Sequence, residues 1–177
     1  MNLYFYVDMD GVLVNFDKRF QKAMPGVKEE DDWLWEDLHK IDPLIYLQAE
    51  PMPGAEQLWR FCHDLGETRV LTAIPRRWSW PDVTKHKREW MVNNLGLEDP
   101  KDVLFGPYAE DKQFHCKGAN YVLIDDKSRN IEQWKARGGT GVLYNTFSET
   151  IRDLRDAVTS LRTNFVWDTI RTTPKNV

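Results

Sequence analysis

The chain has 177 residues, of which 41% are hydrophobic and 29% are charged, and its formal net charge is −4. This length and composition predict one globular domain with a sizeable hydrophobic core and exclude a disordered chain. No apolar run approaches the roughly 20 residues that cross a bilayer, and the negative charge gives no general attraction to nucleic acid or to an anionic membrane.

The first predicted element is a buried strand that ends in two carboxylates. Residues 3–13 have the sequence LYFYVDMDGVL, and the aromatic and β-branched residues at its start favour a strand. Asp8 and Asp10 lie two residues apart, so their side chains project the same way from an extended chain. Such a pair of like charges is unfavourable unless a cation or a shared proton relieves it. The alternative is an ordinary Asp-Gly turn at the end of a strand.

Residues 16–50 contain no convincing strand pattern but many acidic and aromatic residues. We predict a small helical cap here, which starts directly after the carboxylate pair and lies over the strand ends like a lid. The core is then formed by residues 1–15 and 51–161. Residues 162–177 are predicted to form a loosely held C-terminal tail.

The rest of the chain alternates between strand and helix patterns. Strands are predicted at residues 69–73, 102–105, 121–125 and 141–144. Helices are predicted at residues 55–65, at 83–95, around 131–135, and from 151 onwards behind a capping box of Thr146 and Glu149. This alternation indicates an α/β, Rossmann-like parallel sheet of about five strands with helices on both faces.

Ligands of such folds bind outside the carboxyl ends of the strands. Five polar residues fall at these ends in the prediction, namely Asp8, Asp10, Thr72, Asp125 and Asp126. Because the ends of parallel strands meet at one edge of the sheet, we expect these side chains to form one site. For the acidic pair that ends the fourth strand, the alternative is a solvated turn leading into the helix at Ser128.

The order of these motifs resembles the haloacid dehalogenase superfamily of phosphotransferases: an acidic pair after the first strand, a threonine after the second, and a double acid after a later one. Further stretches look like its 5'(3')-deoxyribonucleotidase branch. They are the DMDGVL string of residues 8–13 followed by Phe16, the EPMPGA link of residues 50–55, Asp111-Lys112, and the LIDD string of residues 123–126. The resemblance covers roughly residues 3–145.

The resemblance implies a Mg²⁺-dependent phosphomonoesterase with a small helical cap. Asp8 would be the nucleophile and a metal ligand, and would form a phospho-aspartyl intermediate. Asp10 would act as general acid and then general base, with its backbone carbonyl on the metal. Asp126 is favoured as the remaining metal ligand, and Asp125 would either ligate the metal or orient its ligands.

The resemblance also implies a set of phosphate-binding groups. The hydroxyl of Thr72 and the backbone N–H of Ala73 would bind phosphate oxygens, although the family often has a second hydroxyl at the position of Ala73. A lysine should neutralise the phosphoryl group. Lys112 matches the family position, while Lys87 lies on the apolar stripe of its predicted helix and is the second candidate.

The substrate contacts that the resemblance implies are less specific. Its lid aromatics would stack on a nucleotide base, an interaction worth roughly 1–3 kcal/mol per base. The matching side chains are Phe16 by position, and Trp33, Trp35 and Tyr46 by region. These rings could instead form the small core of the cap. Arg76, just after the Thr72 strand, would add positive charge near the phosphate or lie in an exposed basic loop.

The expected substrate is therefore a small phosphate ester, first a deoxyribonucleoside 5'- or 3'-monophosphate. Alternatives are another small phosphate ester, a 3'-phosphate on a polynucleotide, and a non-catalytic phosphate- or protein-binding module. A module would be expected to have lost Asp8 or Asp10. Two cysteines without metal-ligand spacing and a first strand that starts at residue 3 favour a cytoplasmic protein without a leader. A membrane is not an expected partner, the sequence shows no strong sign of binding to polymeric nucleic acid, and a homodimer stays open.

Overall fold

The computed structural model describes residues 1–27, 34–74, 82–97, 103–106 and 109–172, and of residues 34–37, 110 and 166–172 the backbone alone. Its strands are β1 (Tyr4–Val7), β2 (Glu67–Ala73), β3 (Val103–Gly106), β4 (Tyr121–Asp125) and β5 (Thr140–Leu143). Its helices are α1 (Phe16–Ala23), α2 (Leu34–Ile41), α3 (Ile45–Gln48), α4 (Ala55–Leu65), α5 (Val83–Leu95), α6 (Ser128–Ala136) and α7 (Phe147–Thr172), with a 3-10 helix at Ala109–His115.

The described strands form one parallel sheet in the order β3-β2-β1-β4-β5. This confirms the predicted α/β, Rossmann-like sheet with flanking helices. β1 is central, because Tyr4 pairs with Glu67 of β2 on one side and with Tyr121 of β4 on the other. Its position between two strands and two helical layers explains why it has an almost continuous apolar sequence.

The chain leaves and re-enters the core at neighbouring points, on either side of the segment that contains α1, α2 and α3. Val14 forms a β-bridge with Pro51, and the N–H of Asn15 donates to the carbonyl of Glu50 at 2.8 Å. The Arg19 guanidinium makes a two-point ion pair with Asp42, which holds α1 to the turn before α3. The segment is therefore fixed to the core at both of its ends.

The last helix starts as predicted but ends later than predicted. It starts as expected behind a capping box, in which the N–H of Glu149 donates to the hydroxyl of Thr146 and that hydroxyl donates to the Glu149 carboxylate. It then continues to Thr172, so the predicted start of a tail at residue 162 falls inside the helix. No proline or glycine interrupts the sequence between Phe147 and Pro174, which leaves nothing to end the helix earlier. Within the described residues, none of the helices is both long and apolar enough to cross a membrane.

Candidate active site

The polar residues predicted at the strand ends meet at the carboxyl edge of β1, β2 and β4. The N–H of Asp8 donates to the carbonyl of Ile124 at 2.9 Å, which places the residue after β1 beside the end of β4. Carboxylate oxygens of Asp8, Asp125 and Asp126 lie within 4.8 Å of one another. Three acidic side chains from two separate parts of the chain thus form one buried or half-buried cluster.

A tight turn after β1 brings the chain close to Asp126. The N–H groups of Leu13 and Val14 both donate to the carbonyl of Met9, at 2.9 and 2.8 Å. Gly11 within this turn has a φ of +81°, a conformation that L side chains rarely adopt. A Cβ at this position would also lie 2.7 Å from Oδ2 of Asp126. Glycine is therefore required both by the backbone and by the neighbouring carboxylate.

We expect Gly11→Ala to lower the free energy of unfolding by more than Gly26→Ala does. Gly26 has a similar φ of +76°, but a Cβ there would meet nothing within 4 Å. Gly26→Ala should therefore lose only the free energy of the strained backbone, about 1–2 kcal/mol. Gly11→Ala should lose about 1–3 kcal/mol more, because the new Cβ displaces the Asp126 carboxylate. Urea unfolding of both variants measures the difference. Equal losses would show that Asp126 does not constrain the turn.

Lys112 connects two of the clustered acids. It lies on the 3-10 helix, is almost completely buried, and places Nζ 2.7 Å from Oδ2 of Asp8 and 2.7 Å from Oδ2 of Asp125. Burial alone would lower the pKa of this ammonium, but the two carboxylates outweigh burial and raise it. Lys112 therefore remains charged and holds Asp8 in place.

Lys112 offsets only part of the effect of burial on the acids of the cluster. Burial raises the pKa of Asp8 well above its usual range; Lys112 opposes this rise, while the charges of Asp125 and Asp126 add to it. Burial also raises the pKa of Asp126. A bound cation would stabilise the ionised form of these buried acids.

Both oxygens of Asp125 already accept hydrogen bonds from the protein. Its Oδ1 accepts from the backbone N–H of Lys127 at 2.9 Å and from Nδ2 of Asn130 at 3.0 Å. Its Oδ2 accepts from Nζ of Lys112 at 2.7 Å and again from Asn130 at 3.0 Å. These three donors hold both oxygens of Asp125 in place, which makes Asp125 less available to a metal than Asp126.

Two other oxygens of the site lack such partners. Oδ1 of Asp10 and Oδ1 of Asp126 are buried without a hydrogen-bond donor. Buried acceptors without partners are rare in native proteins, and a bound ion is one explanation for them. Carboxylate oxygens are the ligands that hard divalent cations prefer. The carboxylates of Asp8 and Asp126, which lie in one cluster, thus fit such a cation.

Lys87, the second candidate lysine, also reaches the site. Its side chain is completely buried, and Nζ donates to Oδ2 of Asp10, to Oγ1 of Thr72 at 2.7 Å and to the carbonyl of Ala73 at 3.0 Å. The sequence left open which lysine reaches the site. The structure brings both there: Lys112 contacts Asp8, and Lys87 contacts Asp10 together with the predicted phosphate-binding residues.

The predicted aromatic substrate contacts are only partly described. The rings of Phe16 and Tyr46 are buried and stack on each other, with centroids 5.1 Å apart. Trp33 and Arg76 lie outside the described residues, as does the side chain of Trp35. Contacts of all these residues with a substrate stay predictions.

One residue of the site was missed in the sequence. Asn130 is buried in α6 and bonds to both oxygens of Asp125. A signal was available, because a polar residue directly before Ile131 and four before Trp134 lies on the apolar stripe of that helix. An amide on such a stripe needs a buried polar partner.

Solved structures with a similar fold were found for this chain. An L-2-haloacid dehalogenase from Xanthobacter autotrophicus, solved with chloropropionic acid covalently bound, superposes with a TM-score of 0.53 over 88% of this chain and 83% of its own, at 14% identity. A hydrolase from Streptococcus pneumoniae superposes with a TM-score of 0.53 over 88% of this chain and 98% of its own, at 12% identity. The chain has the haloacid dehalogenase fold. No family model and no curated protein matches the sequence.

The acidic cluster lies where a parallel sheet of this fold is expected to bind its ligand. The cluster lies outside the carboxyl ends of a doubly wound parallel sheet, where ligands of such sheets bind. At these identities the likeness extends to the fold, and the chemistry must be argued from the residues themselves. The resemblance to the deoxyribonucleotidase branch accordingly stays a prediction.

Proposed function

We propose that this protein is a Mg²⁺-dependent phosphomonoesterase that hydrolyses nucleoside monophosphates, first among them deoxyribonucleoside 5'- or 3'-monophosphates. The observation that carries the proposal is the pairing of clustered acids with two buried lysines at one edge of the sheet. A phosphate monoester is an anion, so a nucleophile can approach phosphorus only where positive charge masks its oxygens. The acids alone would repel such a substrate, whereas acids, lysines and a cation together would bind it.

The metal would be held by the carboxylates of Asp8 and Asp126 and by the backbone carbonyl of Asp10. When bound, Mg²⁺ supplies positive charge that lowers the repulsion between the phosphoryl group and the acids. Asp125 supports this set from behind, because its own oxygens are bound by Lys112, Asn130 and the backbone. Because the oxygens of Asp125 already accept hydrogen bonds, Asp126 is favoured over Asp125 as the direct metal ligand.

In the first step, a carboxylate oxygen of Asp8 attacks phosphorus. A bond forms between Asp8 and phosphorus, and the bond from phosphorus to the leaving alkoxide breaks, with Asp10 donating a proton to that alkoxide. The ammonium of Lys112 and the backbone N–H of Met9, which donates to Oδ1 of Asp8 at 2.7 Å, fix the nucleophile before it reacts. Lys112 also favours the ionised form of Asp8, which is the form that attacks.

In the second step, water attacks the phospho-aspartate. Asp10, now ionised, accepts a proton from the water, and the bond between Asp8 and phosphorus breaks to release inorganic phosphate. Lys87 and Thr72 stand next to Asp10 and would hold the phosphoryl oxygens in both steps. Because Lys87 already bonds to Asp10, it keeps the acid–base group beside the site of reaction.

A panel of phosphate esters tests the proposal. Wild type and Asp8→Asn are assayed with Mg²⁺ against nucleoside 5'- and 3'-monophosphates, sugar phosphates and 3'-phosphorylated oligonucleotides. We expect the highest kcat/KM on nucleoside monophosphates, and release of phosphate by the wild type but not by the variant. If the enzyme prefers a sugar phosphate or an oligonucleotide, that compound class replaces nucleoside monophosphates as the proposed substrate. Failure to hydrolyse any member would favour the non-catalytic module.

A further inference from the structure

One aromatic ring of the cap lies against the phosphate-site lysine. Nζ of Lys87 is 4.7 Å from the centroid of the Tyr46 ring. Tyr46 belongs to α3 and Lys87 to α5, and both side chains are buried. An ammonium over an aromatic face is attracted by the negative face of the ring, most strongly where water is excluded. The cap therefore contacts the ammonium group of Lys87 directly.

The ring is held in this place by contacts on both helices. On α5, three residues after Lys87, the indole N–H of Trp90 donates to the carbonyl of Ala49 at 2.7 Å. Ala49 is three residues after Tyr46, so this bond joins the end of α3 to α5. The ring of Phe16 stacks on Tyr46. The position of the ring is thus set by the packing of the cap on the core.

The other directions around the ammonium are already occupied. An ammonium has three N–H donors, and those of Lys87 point to Asp10, Thr72 and the carbonyl of Ala73. A phosphoryl oxygen can reach Lys87 only by replacing one of these acceptors. The ring takes no N–H, so it can keep the ammonium in place while that exchange occurs.

We propose that Tyr46 is a positioning residue, which acts on phosphoryl transfer through Lys87 rather than by contacting the leaving group. The proposal rests on the proposed function, in which Lys87 binds phosphoryl oxygens. It makes the docking of α3 on α5 part of the phosphate site. It also differs from base stacking, since a ring that acts through Lys87 is needed for any phosphate ester, with or without a base.

The first test compares Tyr46→Leu, which removes the ring, with Tyr46→Phe, which keeps it. Each is assayed on a nucleoside monophosphate and on glycerol phosphate, which has no base, and for inhibition by inorganic phosphate. We expect Tyr46→Leu to lose about tenfold to thirtyfold in kcat/KM on both substrates and to bind inorganic phosphate more weakly, as for a buried cation–π contact. Tyr46→Phe should stay within about twofold of wild type, because its ring keeps the same negative face.

Phe20→Leu is the matched control. Phe20 is an equally buried ring that packs on Phe16 in the same cluster. A comparable loss in Phe20→Leu would show that the effect is general loosening of the cap and would overturn the proposal. A loss confined to the nucleotide would also overturn it, in favour of base stacking. If Tyr46→Leu does not fold, Tyr46→Met replaces it, since a flexible thioether fills an aromatic site with less strain.

A double-mutant cycle tests the route through Lys87. If Tyr46 acts through the ammonium, Tyr46→Leu should add no further loss to that of Lys87→Met. Additive losses would contradict the proposal. The binding of inorganic phosphate distinguishes this test from the test of the proposed function. A wild type that binds phosphate but hydrolyses no nucleotide would refute the proposed substrate class. The effect of Tyr46 on phosphate binding could still be measured in that case.

Discussion

Asp8→Asn is expected to abolish phosphate release, lowering kcat by about a thousandfold or more because the attacking group is lost. The fold should persist. The amide keeps an oxygen for the N–H of Met9, and Lys112 keeps its second partner, Asp125. Because burial raises the pKa of Asp8, ionised Asp8 is unfavourable in the metal-free protein, and its replacement should leave the melting temperature unchanged or raise it.

Two measurements check this expectation. Steady-state phosphate release gives the loss of kcat, and thermal unfolding with and without Mg²⁺ gives the effect on the metal site. Mg²⁺ should raise the melting temperature of the wild type more than that of the variant, since a ligand stabilises the state that binds it. Turnover by Asp8→Asn equal to that of the wild type would reject Asp8 as the nucleophile.

Lys112→Met is expected to cause the largest loss of stability among single substitutions in the site. It leaves Asp8 and Asp125 buried without their shared cation, and breaking a buried pair in this way typically lowers the free energy of unfolding by about 3–5 kcal/mol. Phosphate release should also be lost. Urea unfolding in the presence of a chelator measures the first effect, with Lys18→Met as a control.

The control and the pH dependence make this prediction specific. Lys18 pairs with Glu50 on the surface, with both side chains more than half exposed, so its removal should change stability by no more than about 1 kcal/mol. The penalty in Lys112→Met should shrink as the pH falls. A raised pKa means that the folded state gains a proton on Asp8 before the unfolded state does, so acidification favours folding over that range. A penalty that grows on acidification would contradict this account.

The sequence contains enough information for the framework of the site. Asp8, Thr72 and Asp125 could be placed together because each follows or ends an apolar strand, and parallel strands end at one edge. That inference needs only the order of elements, not the path of any side chain. The inward direction of Lys87 also followed from helical spacing, because it shares the stripe of Val83 and Trp90.

What the sequence could not provide were the pairings within the site. The sequence favoured Lys112 and kept Lys87 as the second candidate, but it could not indicate that each lysine contacts a different acid. Asp125 and Asp126 are adjacent and identical in type, yet the donors of Lys112, Asn130 and the Lys127 backbone surround only the first. Such differences arise from tertiary packing, which has no local pattern.

We propose that acids from separate strands hold one divalent cation at which Asp8 reacts. A crystal soaked in Mn²⁺, which prefers the same oxygen ligands as Mg²⁺, tests it through the anomalous signal of the metal. We expect one peak bound by Asp8 and Asp126, with Asp125 still hydrogen-bonded to Lys112 and Asn130. A peak elsewhere, or none at this edge of the sheet, would contradict it.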